Sequence, residues 1–265
     1  MSDVPGPGLR ILVGAGSFAD ATAALRIVQQ FPSGFCAGLG GILVEEAELL
    51  ATCRIPDQRI ILLSGMTSLA PSVPQVRTLI KADARAFQQL LAHTAHPLAT
   101  ESAFTQEKGE LVSTALRAAA SWDVLVLGYR QIHKVPGKVI LLQTSGGSSS
   151  EMKAASLGIS NHLRVEPVTF SVKTNVDGAI NTPSSNALQF ETLDGALAAL
   201  TRQNAQTVLV DLKHGPVRNH YDLLRLLEVA RCPVVVFGAS NANLLLEHTT
   251  QILPTPTRTG PENDD

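Results

Sequence analysis

Four short runs, Ile11-Leu12-Val13, Val124-Leu125-Val126-Leu127, Val208-Leu209-Val210 and Val234-Val235-Val236-Phe237, are apolar at every position. A strand with one face in water alternates apolar and polar residues. A run apolar at both parities belongs to a strand covered on both faces, as in a parallel sheet between layers of helices. The segments between the runs have helical spacing. Val76, Leu79, Ile80, Phe87, Leu90 and Leu91 fall on one side of a helix that stops before Pro97. Strands alternating with helices predict right-handed β-α-β crossovers, so the fold class is α/β with mostly parallel sheets flanked by helices.

The pattern occurs twice. Arg10-Ile11-Leu12-Val13 stops at Gly14-Ala15-Gly16-Ser17 and leads into a helix over Ala21 to Gln30. Lys138-Val139-Ile140-Leu141-Leu142 stops at Thr144-Ser145-Gly146-Gly147-Ser148 and leads into a helical stretch from Glu151. Further strands are predicted at Gly41 to Val44, Ile60 to Leu63, Ser102 to Thr105, Val165 to Val172 and Leu188 to Phe190, and further helices at Leu111 to Ala120, Leu193 to Arg202 and Tyr221 to Ala230. The second copy lacks the long helix between Val76 and His93, and the first lacks the final helix-strand pair. Neither copy covers its own sheet, so the two are expected to pack as an internal pseudo-dimer. The units are placed at 9–135 and 136–240, followed by an extension at 241–265. The Pro-, Gly- and acid-containing end from Thr255 to Asp265 is read as disordered.

With 45% hydrophobic and 17% charged residues, the 265-residue chain has material for a sizeable core. Its net charge of -2 removes the electrostatic case for nucleic acid as a partner. No apolar run approaches the roughly 20 residues of a membrane span. Met1 to Gly8 lacks the pattern of a signal peptide. Cys36, Cys53 and Cys232 form no C-x-x-C pair and are read as buried small hydrophobes in a reducing compartment. A cytoplasmic location is the resulting expectation.

Three blocks carry a resemblance: the strand-turn-helix from Ile11 to Leu25 with Gly16-Ser17, the helix and buried strand from Leu111 to Arg130, and Ala230-Arg231-Cys232-Pro233-Val234-Val235-Val236. In this order they resemble the universal stress protein family in a degenerate tandem form. The resemblance runs from about Arg10 to Gly238. It implies five parallel strands flanked by helices, dimers, and in many members ATP or AMP at the ends of the first and fourth strands. It also implies an acid after the first strand and, after the fourth, a glycine pair followed by Gly-Ser or Gly-Thr. Here Ala15 stands near the acid's place in the first copy, and Thr144 or Ser145 in the second. Gly128, Tyr129 and Arg130 are followed by Gln131 where the second glycine belongs. Asp211-Leu212-Lys213-His214-Gly215 brings a carboxylate near the phosphate position, where it would repel an anion. The family's nucleotide site therefore reads as eroded.

The residues that would hold a nucleotide in the first copy are Gly14, Ala15, Gly16, Ser17, Gly128, Tyr129 and Arg130, through backbone amides and one guanidinium. Gly14 to Ala19 also fits G-x-G-x-x-A, the turn of nicotinamide-dependent dehydrogenases, with Glu45 and Glu46 as acids farther along than that fingerprint wants. A tight structural turn is the preferred reading, since no substrate domain with a catalytic His or Lys follows. Arg130, His133, Lys134 and Lys138 could meet an anion or an acidic partner. His93 with His96, and His214 with His220, lack the spacing of metal ligands. Ser148, Ser149 and Ser150 read as capping residues, because no G-x-S-x-G or neighbouring base marks a nucleophile.

The expectation is a non-enzymatic, universal-stress-type regulatory or stress-response protein that acts through a protein partner or a small nucleotide-like ligand. It requires no cofactor, metal, membrane insertion or nucleic acid. Two alternatives stay open: an adenine-nucleotide binder that holds ATP or AMP in the first unit, and a NAD-dependent oxidoreductase. Association of two chains into a homodimer is compatible with either.

Overall fold

The computed structural model describes residues 8–46, 51–53, 55, 59–61, 67–69, 71–98, 100–130, 137–173, 187–242 and 245–246. Strand β1 (Leu9–Ala15) leads through helix α1 (Phe18–Val28) to β2 (Cys36–Glu45). A small antiparallel ribbon, β3 (Arg59–Ile61) with β4 (Thr67–Leu69), stands apart from the main sheet. The long helix α2 (Val73–Ala95) then leads to β5 (Ser102–Lys108), and α3 (Leu111–Ala118) to β6 (Val124–Leu127). The pattern restarts with β7 (Lys138–Thr144), α4 (Ser150–Leu163), β8 (Val168–Val172) and β9 (Ala187–Phe190). It ends with α5 (Leu193–Leu200), β10 (Ala205–Asp211), α6 (His220–Ala230) and β11 (Val234–Phe237).

Nine strands form one sheet in the order β5-β2-β1-β6-β11-β10-β7-β8-β9. All neighbours are parallel except β6 and β11, which pair antiparallel with Val126 opposite Val235. Two parallel half-sheets therefore meet at an antiparallel seam. The order β5-β2-β1-β6 in one half is repeated by β9-β8-β7-β10 in the other, which adds β11. Only residues 128–137 separate β6 from β7, too few for another crossover helix and strand.

The apolar runs explain the seam. In β6, Leu125 and Leu127 enter one core and Val124 and Val126 the other; in β11, Val234 and Val236 share the first and Val235 and Phe237 the second. The first core is covered by α3, α5 and α6, the second by α1, α2 and α4. Each core contains residues from both half-sheets. Close packing depends on small residues: a Cβ at Gly40 would collide with the Trp122 ring, and one at Gly14 would lie 3.0 Å from Ala115 Cβ.

Several details differ from the sequence reading. The last strand lies at the centre of the sheet, where a run apolar on both faces is best buried. Strand β5 is longer than Ser102 to Thr105 and lies at an edge, which is why its residues are polar and exposed. Ile60 belongs to the separate ribbon rather than the main sheet. The missing long helix of the second copy and the chain end from Thr255 fall on or beside 174–186 and 247–265, outside the described residues. No helix among the described residues is long and apolar enough to cross a membrane.

Candidate functional site

In an open α/β sheet, ligands gather beyond the carboxyl ends of the strands, where the strand order reverses. The reversals fall between β1 and β6 and between β7 and β10. Because the half-sheets run antiparallel across the seam, the two strand ends open at opposite edges of the sheet.

All seven first-copy site residues meet at the β1/β6 end, where several of their polar groups are already engaged. The N–H of Gly128 donates to the carbonyl of Gly14 at 2.7 Å. Ala15 is buried in β1. Ser17 caps α1, its Oγ accepting from the N–H of Asp20 at 3.2 Å. The Asp20 carboxylate then closes the crevice: Oδ2 accepts from Ser17 Oγ at 2.5 Å and Oδ1 from the N–H of Arg130 at 2.7 Å. A second carboxylate, Asp83 Oδ2, accepts from the N–H of Phe18 at 3.0 Å. A helix N-terminus attracts anions through unpaired N–H groups and the helix dipole, and here two side chains supply that negative charge. Gly128 allows the close approach, since a Cβ there would lie 2.5 Å from the Asp20 carbonyl oxygen. Gly16 alone faces open space.

A cavity of about 320 Å³ remains at this end, with Asp20, Glu46, Glu110 and Glu228 in its wall beside Tyr129, and no Lys or Arg side chain among the described residues that line it. Glu110 caps α3, accepting from the N–H groups of Val112 at 2.8 Å and Ser113 at 2.7 Å. An oxyanion would face carboxylates on several sides.

The β7/β10 end is built differently. Four residues, Ser145 to Ser148, separate the strand from the cap Ser149, where the first copy has only Gly16 between Ala15 and Ser17. Gly147 adopts φ 97°, a conformation that favours glycine, and its N–H donates to the Thr144 carbonyl at 3.0 Å. Ser149 Oγ accepts from the N–H of Met152 at 3.4 Å. Met152 thus holds the position relative to its cap that Asp20 holds in the first copy, and it is fully buried. Among the described residues, nothing lies within 4 Å of a Cβ placed at Gly147. A cavity of about 320 Å³ lies there, lined by Thr144, Gly146, Gly147, Ser148, Ser149 and His214. Ser148 Oγ is sealed from solvent and has no hydrogen-bond partner.

Asp211 does not project into this cup. It is 4% exposed; its Oδ1 accepts from the N–H groups of Lys213 at 2.8 Å and His214 at 3.3 Å, and its Oδ2 lies 3.4 Å from His214 Nδ1. The repulsion expected from the sequence is therefore turned inward, into a local turn, while Lys213 and His214 are exposed. Thr144 Oγ1 anchors that turn by donating to the His214 carbonyl at 2.8 Å.

The remaining sequence candidates are dispersed. Lys138 Nζ donates to Gln203 Oε1 at 2.9 Å at the opposite end of β7, and His133 and Lys134 lie outside the described residues. His93 lies in the last turn of α2 with His96 just beyond it, and no group of three or more His, Cys, Asp or Glu side chains suited to a metal ion occurs among the described residues. Burial pushes the Cys232 thiol well above its ordinary pKa and raises that of Cys36 as well. Sequence reasoning missed Asp20, Asp83 and the contrast between Asp20 and Met152. The Ser17-x-x-Asp20 spacing was the available signal.

No protein-family model and no curated protein matches this sequence. Among solved structures, a universal stress protein from Archaeoglobus fulgidus DSM 4304 aligns over 88% of this chain and 98% of its own, at 9% identity and a TM-score of 0.44. A functionally unknown protein from Pseudomonas aeruginosa PAO1 aligns over 92% of this chain and 98% of its own, at 8% identity and a TM-score of 0.44.

Proposed function

We propose that this chain is a universal-stress-type regulatory protein that works by binding a small oxyanion-bearing ligand in its second half, without covalent chemistry. The reading rests on one contrast. At equivalent places after the helix cap, Asp20 puts a carboxylate across the first turn, while Met152 leaves the second without one, beside an unpaired Ser148 hydroxyl. Support for the family type comes from the order of its sequence blocks, which contribute the neighbouring strands β1, β6 and β11.

Isothermal titration of the chain with inorganic phosphate, AMP and ATP tests the reading. Binding should occur at one site per chain, weaken in Ser148→Ala and His214→Ala, and stay unchanged in Gly16→Leu. Gly16 has open space around it and an unstrained backbone, so the leucine variant should fold. Loss of binding in Gly16→Leu would instead place the nucleotide in the first half. Turnover of a bound nucleotide would overturn the non-enzymatic reading.

A further inference from the structure

A second cavity of about 240 Å³ adjoins the Gly146–Gly147 cup, sharing Ser149 and His214 with it and reaching across the seam to Leu9 and Asp123 of the first half. The antiparallel seam creates it. The carboxyl end of β11 lies beside the amino end of β6, with Phe237 opposite Val124 and the N–H of Ala239 donating to the Asp123 carbonyl at 3.0 Å.

Charge is divided within this double cavity. Of its charged and titratable residues, His214 is shared with the cup, while Lys213, Asp123 and Glu151 line this cavity only. Asp211 also borders it, but its oxygens serve the N–H groups of Lys213 and His214. Asp123 Oδ2 accepts from the N–H of Arg10 at 2.8 Å and Glu151 Oε2 accepts from Ser150 Oγ at 3.0 Å, which leaves one oxygen of each carboxylate to a ligand. Leu9 and Phe237 add apolar wall.

Building on the oxyanion reading above, we propose that the ligand is zwitterionic: a phosphate or carboxylate in the glycine turn, joined by a short chain to an ammonium group held by Asp123 and Glu151. Complementary charge at both ends selects such a molecule over a simple anion. The first half would thus contribute to recognition without binding a nucleotide of its own.

The test is calorimetric, on the full chain, with two matched pairs of probes: phosphoethanolamine against ethyl phosphate, and β-alanine against propionate. The amine-bearing member of at least one pair should bind about fivefold more tightly, the size expected for partly exposed ion pairs. The pair that shows the difference identifies the oxyanion. In Asp123→Asn, which keeps an acceptor for Arg10, and in Glu151→Gln at an exposed helical position, the preference should shrink toward unity. Equal affinity within both pairs would overturn this inference and leave the oxyanion reading standing. Absence of binding by all four probes and by inorganic phosphate would overturn both.

Discussion

Asp20 is the residue whose removal should be felt most at the first strand end. Asp20→Ala deletes the acceptors for the Arg130 N–H at 2.7 Å and for Ser17 Oγ at 2.5 Å, together with a negative charge in the first turn of α1. A hydrogen bond to a charged group contributes about 1.5–3 kcal/mol, but both donors here are partly open to water, so the expected loss is about 1–2 kcal/mol. Asp20→Asn retains one acceptor and should lose roughly half as much. Urea unfolding followed by the fluorescence of Trp122, the single tryptophan, measures this. With a slope of roughly 2–3 kcal/mol/M, the alanine variant should move the midpoint down by about 0.5 M. An unchanged midpoint, or an asparagine variant weaker than the alanine variant, would refute the carboxylate's role as the plug.

Gly40→Ala should cost about 1–3 kcal/mol and alter Trp122 emission, because the new methyl collides with the indole ring; unchanged stability would contradict the packing. Arg231 ends α6 at φ 50°, so Arg231→Gly should raise the urea midpoint by about 0.5–1 kcal/mol equivalent. Cys232 should resist thiol reagents until the chain unfolds. Since burial raises its pKa, the folded state keeps a proton that the unfolded state releases, and stability should fall as pH rises past the ordinary value of 9.0. Measured unfolding free energies at pH 8 and pH 10 check the sign. The halves cut between β6 and β7 should each fail to unfold cooperatively alone, because both cores draw on both halves; circular dichroism melts of the separate pieces test it.

The parallel sheet was legible because its central strands are apolar at both parities, a pattern few other environments tolerate. The sequence could not show which strands meet at the seam: Val124 to Leu127 and Val234 to Phe237 are equally apolar on both faces, and pairing direction leaves no mark in composition. Strand β5 was read short because an edge strand carries polar residues such as Gln106 and Glu107. At the sites, the turns at Gly16 and Gly147 were visible as small-residue runs. Whether a turn is filled depends on one side chain a helical turn later, Asp20 or Met152, and on whether Asp211 points outward or folds onto its own backbone. Those are questions of side-chain direction, which spacing alone leaves open.

Backbone amide shifts of the ¹⁵N-labelled chain during titration with inorganic phosphate would locate the ligand directly. Movement is expected at Gly146, Gly147, Ser148, Ser149 and His214, with Gly16, Ser17 and Arg130 still. Movement centred on Gly16, Ser17 and Arg130 would contradict it.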